Sequence, residues 1–237
     1  MTGEIEKYKE EIKNLDAGEI IAWAMDTFGQ SRLVLASSLS AEDQLLTHLL
    51  LSSNNQSRIF TLDTGRLFQE TYDTMQKTMD RYNFSYEIYA PENTAIESLV
   101  SVHGPNLFYK SVELRKKCCS ARKTIPLQRV LKTADAWICG LRRDQAVTRD
   151  YIEPIEFDHE NKLFKINPLY NWTEQMVWES VKNLSIPYNP LQDNGFRSIG
   201  CAPCTRAIDR NDDIRSGRWW WEDPEHKECG LHAKPKT

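Results

Sequence analysis

No apolar run in this 237-residue chain is long enough to cross a bilayer, and its first twenty residues, MTGEIEKYKEEIKNLDAGEI, lack the apolar core of a secretory signal. These absences argue against a membrane partner and lead to the expectation of a cytoplasmic protein. Nor is there a surplus of base. The 30 Lys and Arg against 34 Asp and Glu leave a net charge of −4, which argues against a nucleic-acid partner. Glycine and proline are scarce, ten of each, and no internal repeat or low-complexity segment interrupts the chain. What remains is an ordinary globular composition, 40% hydrophobic and 27% charged, long enough for one large domain with appendages. Six cysteines in a reducing compartment point to metal binding or redox chemistry rather than structural disulfides.

The apolar pattern predicts helices over residues 4–28, 41–51, 67–82 and 173–183, the last opened by Thr173. Short apolar runs at 31–38, 57–64, 85–90 and 135–141 read as buried strands, and 163–172 as a last one. Strands separated by helices imply right-handed crossovers, hence an α/β fold with a doubly wound, mostly parallel sheet. The expected organisation is a helical segment over 1–30, an α/β nucleotide-binding domain over 31–190, and an appendage over 191–237 where periodicity fades. Ligands of such sheets sit at the carboxyl ends of the strands. Three loops stand there: SSLSAED (37–43), LDTGRLF (62–68) and GLRRDQAVTR (140–149). The first opens a helix and can offer backbone N–H groups to an anion, although Ser-rich loops are also ordinary helix caps. In the third, Arg142 and Arg143 are either a phosphate site or a solvated basic turn.

The strongest motif is KKCCSARK (116–123) together with GCAPC (200–204). Cys118, Cys119, Cys201 and Cys204 make two tight pairs of thiols. A disulfide between adjacent residues is sterically awkward, so the vicinal pair needs another explanation. Four cysteines can ligate zinc or an iron–sulfur cluster, and the separate irons of a cubane accept neighbouring ligands more easily than one small ion. Cys139, inside an apolar run, reads as core filler. Lys116, Lys117, Arg122 and Lys123 flank the first pair, and Arg206, Arg210, Arg215 and Arg218 follow the second. That local base balances thiolate charge or receives a small anionic substrate. Cys229 stands apart, in KECGLH (227–232) near the end of the chain.

The vicinal pair, SIGCAPCTR, SGRWWW and ECGLH together resemble the assimilatory adenylyl-sulfate reductases, the iron–sulfur branch of the adenosine-phosphosulfate and phosphoadenosine-phosphosulfate reductase family. The likeness runs from about Leu33 to His232. It implies an adenine nucleotide α-hydrolase-like fold and the thiol-dependent reduction of adenosine 5′-phosphosulfate to sulfite and AMP, with thioredoxin or a glutaredoxin-like protein as reductant. It further implies a [4Fe–4S] cluster on Cys118, Cys119, Cys201 and Cys204, with Cys229 as the nucleophile. Lys123, Arg215, Arg218 and His232 would hold the sulfate. Ser37, Ser38, Leu62, Asp63, Thr64 and Gly65 would contact the nucleotide, with Arg142 on the phosphate side. Many relatives have glycine where Ser40 stands, so a left-handed backbone there would strain this chain. A homo-oligomer is left open.

Three other readings compete. A reductase of the 3′-phosphorylated substrate shares the fold and the Cys229 chemistry, but relatives strict for it usually lack the four clustered cysteines. An ATP-dependent RNA-thiolating enzyme would want a glycine-rich SGGxDS loop, which SSLSAED is not, and a basic surface. A non-catalytic metal or redox-sensing module would leave Cys229 inert. RWWWE (218–222) is expected to anchor the tail by aromatic burial rather than to meet a partner.

Overall fold

A computed structural model describes residues 2–54, 56–145 and 151–223. Cys229 and His232 therefore lie outside the described residues. The chain opens with α1 (Thr2–Ile12) and α2 (Ala17–Phe28), then alternates β1 (Leu33–Ala36), α3 (Ala41–Ser53), β2 (Arg58–Leu62), α4 (Gln69–Tyr82) and β3 (Glu87–Tyr89). Three helices follow, α5 (Asn93–His103), α6 (Val112–Cys119) and α7 (Ile125–Leu131), before β4 (Ala136–Ile138). A hairpin of β5 (Ile155–Asp158) and β6 (Leu163–Ile166) leads to α8 (Glu174–Asn183).

The six strands form one sheet in the order β3-β2-β1-β4-β6-β5, parallel except for β5 against β6. Chain order reverses between β1 and β4, so a crevice opens there at the strands' carboxyl ends. Alternation along the strands builds two core layers. Leu33, Leu35, Ile59, Ala136 and Ile138 face one, with Ile20, Ile21 and Leu45 from helices; Val34, Phe60 and Trp137 face the other, with Leu127 and Val130 of α7. Among the described residues no helix is long and apolar enough to cross a membrane.

Local chemistry explains the element ends. Asp16 and Glu19 form a reciprocal capping box at the start of α2, and Thr173 accepts the Met176 N–H to open α8, as its sequence predicts. The segment 1–30 is not a detached appendage, because Ile12, Ala17, Ile20, Ile21 and Ala24 lie in the main core. The expected strand over 163–172 stops at Ile166, where Asn167 turns its N–H to Pro154 O at 2.8 Å and Pro168 follows. The sequence reading passed over β5, whose four residues IEFD carry too short a pattern to stand out. After α8 the described chain holds only 3-10 turns and one isolated bridge, Thr205 to Arg218.

Candidate active site at the carboxyl end of the sheet

A cleft of about 610 Å³ opens where β1, β2 and β4 end. Its walls include Ser37, Ser38, Leu62, Thr64, Lys123, Arg142, Arg215 and Arg218. Eight residues singled out from three loops, the first cysteine motif and a distant tail thus share one space. Asp63 and Gly65 do not: they line a separate depression of about 300 Å³ with Arg122 and the start of α5. Asp63 Oδ1 is occupied there by the Tyr72 hydroxyl (2.7 Å) and the Gly65 N–H (2.8 Å).

The loop after β1 wraps a carboxylate. Asp43 accepts from the Ser38 N–H (2.7 Å) and hydroxyl (2.6 Å), and burial pushes its pKa up to about 6 against those bonds. Gly140 is required beside it, since a Cβ there would stand 2.5 Å from Asp43 Oδ1. Ser40 does not need glycine's freedom. At φ −70 it is the N-cap of α3, and the left-handed residue is its neighbour Leu39, at φ 63.

Arg142 is 2% exposed and bound to carboxylates. Its Nε and Nη2 donate to Glu42 Oε1 at 3.0 and 2.8 Å, and Nη1 to Asp144 Oδ2 and Trp172 O at 3.4 and 3.3 Å. Gln145 Nε2 adds a third donor to the same Glu42 oxygen, at 3.0 Å. A phosphate would have to displace those carboxylates to reach this guanidinium.

The four thiols meet at the other side of the cleft. Cys118 and Cys119 close α6, while Cys201 and Cys204 border the turn Ala202–Cys204. All four are buried in one cluster with Leu107, Phe108 and Trp219. Between α6 and α7 the helix widens over Ser120–Thr124, where the Ile125 N–H reaches back five residues to Ser120 O. Pro126 supplies a reason: it has no N–H to return to Arg122 O, and its ring crowds that carbonyl. The wide turn carries Arg122 and Lys123. Burial alone would raise the Cys201 thiol, yet Lys123, the Thr64 hydroxyl at 3.3 Å, Arg218 and Arg122 together hold its pKa below the usual value. Burial raises Cys118, and burial with the charges of Cys201 and Cys119 pushes Cys204 up to about 12. Among the described residues no three ligating groups are spaced for a single metal ion. Four buried thiols ringed by cations suit a group with several metal centres.

The tail-side segment is tied to these thiols. Arg206 N–H meets Gly217 O at 3.1 Å and Trp219 N–H meets Cys204 O at 3.2 Å. Gly200 lets Arg218 pass, since a Cβ there would stand 2.3 Å from its Nη2. Trp219 is 1% exposed, and Arg115, stacked on its ring at 4.6 Å, forms a buried two-point pair with Glu222 (3.0 and 2.8 Å). The expected anchoring of the tryptophan run is thus observed for Trp219. Sequence reasoning missed Glu42, Asp43, Arg115 and Glu222. The first two stood in a quoted loop and Glu222 ends the quoted RWWWE, but Arg115 belongs to no quoted motif.

Three comparisons bear on what this arrangement does. The model of the phosphoadenosine phosphosulfate reductase domain matches residues 32–207. An adenosine 5′-phosphosulfate reductase of Burkholderia cepacia is 48% identical over 206 residues, 87% of this chain and 82% of the relative. One of Allochromatium vinosum is 49% identical over 202 residues, 85% and 79%. Among solved structures, the phosphoadenylyl-sulfate reductase of Candida auris, a phosphate complex, superposes with a TM-score of 0.75 at 25% identity, covering 88% of this chain and 98% of that one.

Proposed function

The chain belongs to the phosphoadenosine phosphosulfate reductase family, and from that premise we propose that it reduces adenosine 5′-phosphosulfate to sulfite and AMP in cytoplasmic sulfate assimilation, with a thioredoxin- or glutaredoxin-like dithiol protein as reductant. One observation carries the reading beyond the likeness. The nucleotide-side loops and the cations Lys123, Arg215 and Arg218 line the same cleft, directly beside four buried thiols.

In this reading adenosine lies between the loops after β1 and β4, and the phosphosulfate faces Lys123, Arg215 and Arg218. Those cations offset the repulsion between an attacking thiolate and the anionic sulfate, and they favour departure of AMP. The Cys229 thiolate attacks the sulfate sulfur. An S–S bond forms, the S–O bond to the phosphate breaks, and its electron pair leaves with AMP. A thiolate of the reductant then attacks Cys229 Sγ and expels sulfite, which takes the electron pair of the broken S–S bond. The reductant's second thiolate closes its own disulfide and returns Cys229 as thiolate. Residues 191–237 act as the segment that brings Cys229 and His232 to the cleft.

Cys118, Cys119, Cys201 and Cys204 would hold a [4Fe–4S] cluster, which supplies a fixed local charge and a structural tie rather than electrons. The chain's own residues do the rest: Thr64 and Cys201 join the β2 loop to the thiol turn, and Lys123 faces both cleft and thiols.

The test is anaerobic turnover with both nucleotides, alongside iron and sulfide analysis. The intact enzyme should release sulfite from adenosine 5′-phosphosulfate, and Cys229→Ser should release none while still binding AMP and iron. A clear preference for the 3′-phosphorylated substrate would overturn the substrate assignment, and one zinc per chain would overturn the cluster.

A further inference from the structure

Arg115 is not among the residues that wall the cleft, and the reaction as written gives it no part. Its side chain is nevertheless 0% exposed. A charge so deep persists only where partners replace water. Glu222 takes two of its hydrogen bonds, and the Trp219 ring covers one face of the guanidinium at 4.6 Å. A third partner lies on its own helix. Cys119 stands one turn further along α6, on the same face, within hydrogen-bonding reach of the guanidinium. Burial works against the charge of Arg115, but Glu222 and then Cys119 hold its pKa above the ordinary arginine value. One side chain therefore touches both the four thiols and the segment that leads on to Cys229. A second tie runs beside it, from the Trp219 N–H to Cys204 O at 3.2 Å.

We propose that Arg115 is a positioning residue for Cys229, coupling occupation of the four thiols to the seat of residues 218–222. This rests on the reading above, in which those thiols hold a metal cluster and Cys229 is the nucleophile. A cysteine that ligates a metal gives up its proton and keeps negative charge on sulfur. Arg115 then stands between two anions, the Cys119 sulfur and the Glu222 carboxylate, and is drawn to both. Such coupling is reciprocal, so losing either partner loosens the guanidinium's hold on the other. Lysine cannot replace it. An ammonium has no planar fork to donate two parallel bonds to a carboxylate while lying flat on an indole. Because Arg115 touches neither the cleft nor the reacting atoms, its effect falls on where Cys229 stands and not on nucleotide binding.

The experiment compares the intact, iron-loaded enzyme with Glu222→Gln and Arg115→Lys. Both variants should lose iron to a strong chelator about tenfold faster, followed by bleaching of the visible absorption, the scale of one charge-assisted hydrogen bond. Both should lower kcat about tenfold and leave KM for adenosine 5′-phosphosulfate within twofold. Hydrogen exchange of the peptide 218–223 closes the cycle. Removing iron from the parent enzyme should speed that exchange about tenfold, and removing it from Glu222→Gln should add less than threefold, since the tie is already broken. A full tenfold increase in both, or iron loss unchanged within twofold in both variants, overturns the proposal. Should Glu222→Gln not fold, Arg115→Lys, which keeps the charge, decides by the same readings. An iron-loaded enzyme that releases no sulfite would sink the reaction assigned above, while iron loss and exchange still judge the coupling. An intact enzyme without metal overturns the cluster and the coupling together.

Discussion

Two buried arginine–glutamate pairs divide this molecule between them. Arg115–Glu222 sits behind the thiols with side chains 0% and 3% exposed, roofed by Trp219. Arg142–Glu42 sits in the cleft wall with its carboxylate 13% exposed and a second carboxylate on the same guanidinium. The first is balanced and closed, and it joins positions 107 residues apart. The second is overbalanced and faces the space a ligand enters. The same chemical pair is therefore sealed in packing in one place and set in an open wall in the other, and the surroundings decide which.

The sharpest way to break the comparison is Glu222→Ala. It removes the carboxylate from a fully buried guanidinium, and the expected cost is about 3–5 kcal/mol, read as a drop in the unfolding midpoint. A fall under about 1 kcal/mol would mean that Arg115 finds water or another partner and that the closed pair is no fastening. Asp43 sharpens the contrast, being a buried carboxylate held by Ser38 instead of by an arginine. Its folded pKa is raised from 3.8 to about 6, so the native state binds the proton more tightly than the unfolded chain. The stability this lends is full below about pH 4 and is lost as pH rises through 6, a swing of about 3 kcal/mol at most. Asp43→Asn should flatten the stability profile over that window. A slope unchanged between pH 4 and 6 would assign it to other groups. The smallest effect belongs to Arg58–Glu87 at the sheet's base, 22% and 33% exposed. The hydrogen bond from Arg58 holds the Glu87 pKa below its usual value, so its contribution is present above pH 4.5 and fades as pH falls. Glu87→Gln should cost about 0.5–1 kcal/mol at neutral pH and less in high salt. A cost matching that of Glu222→Ala would erase the distinction between open and closed pairs.

Much of the fold is legible in the chain because alternation and spacing are local. The runs at 31–38, 57–64 and 135–141 each contain a parallel strand, and the crossovers set their order. The hairpin partner β5 was not legible, since Ile155–Asp158 is read as a strand only once β6 lies beside it. In the site, CC and CAPC announce themselves by chemistry and proximity. Arg115 and Glu222 do not, because their meaning lies in burial and in a partner far along the chain. Arg142 shows the opposite difficulty. Its position after a strand suggests an anion, but the structure places two carboxylates on it before any ligand arrives.

The Arg115–Glu222 fastening also fixes a length. Cys229 is seven residues beyond Glu222 (229 − 222), and a chain spans at most about 3.5 Å per residue, so its thiol stays within about 25 Å of that point. Under the proposed mechanism, which makes Cys229 the nucleophile, that length corresponds to an effective concentration on the order of millimolar or above at the cleft. Under that mechanism, removing Glu222 lengthens the stretch between the last buried anchor and Cys229 without touching the cleft wall.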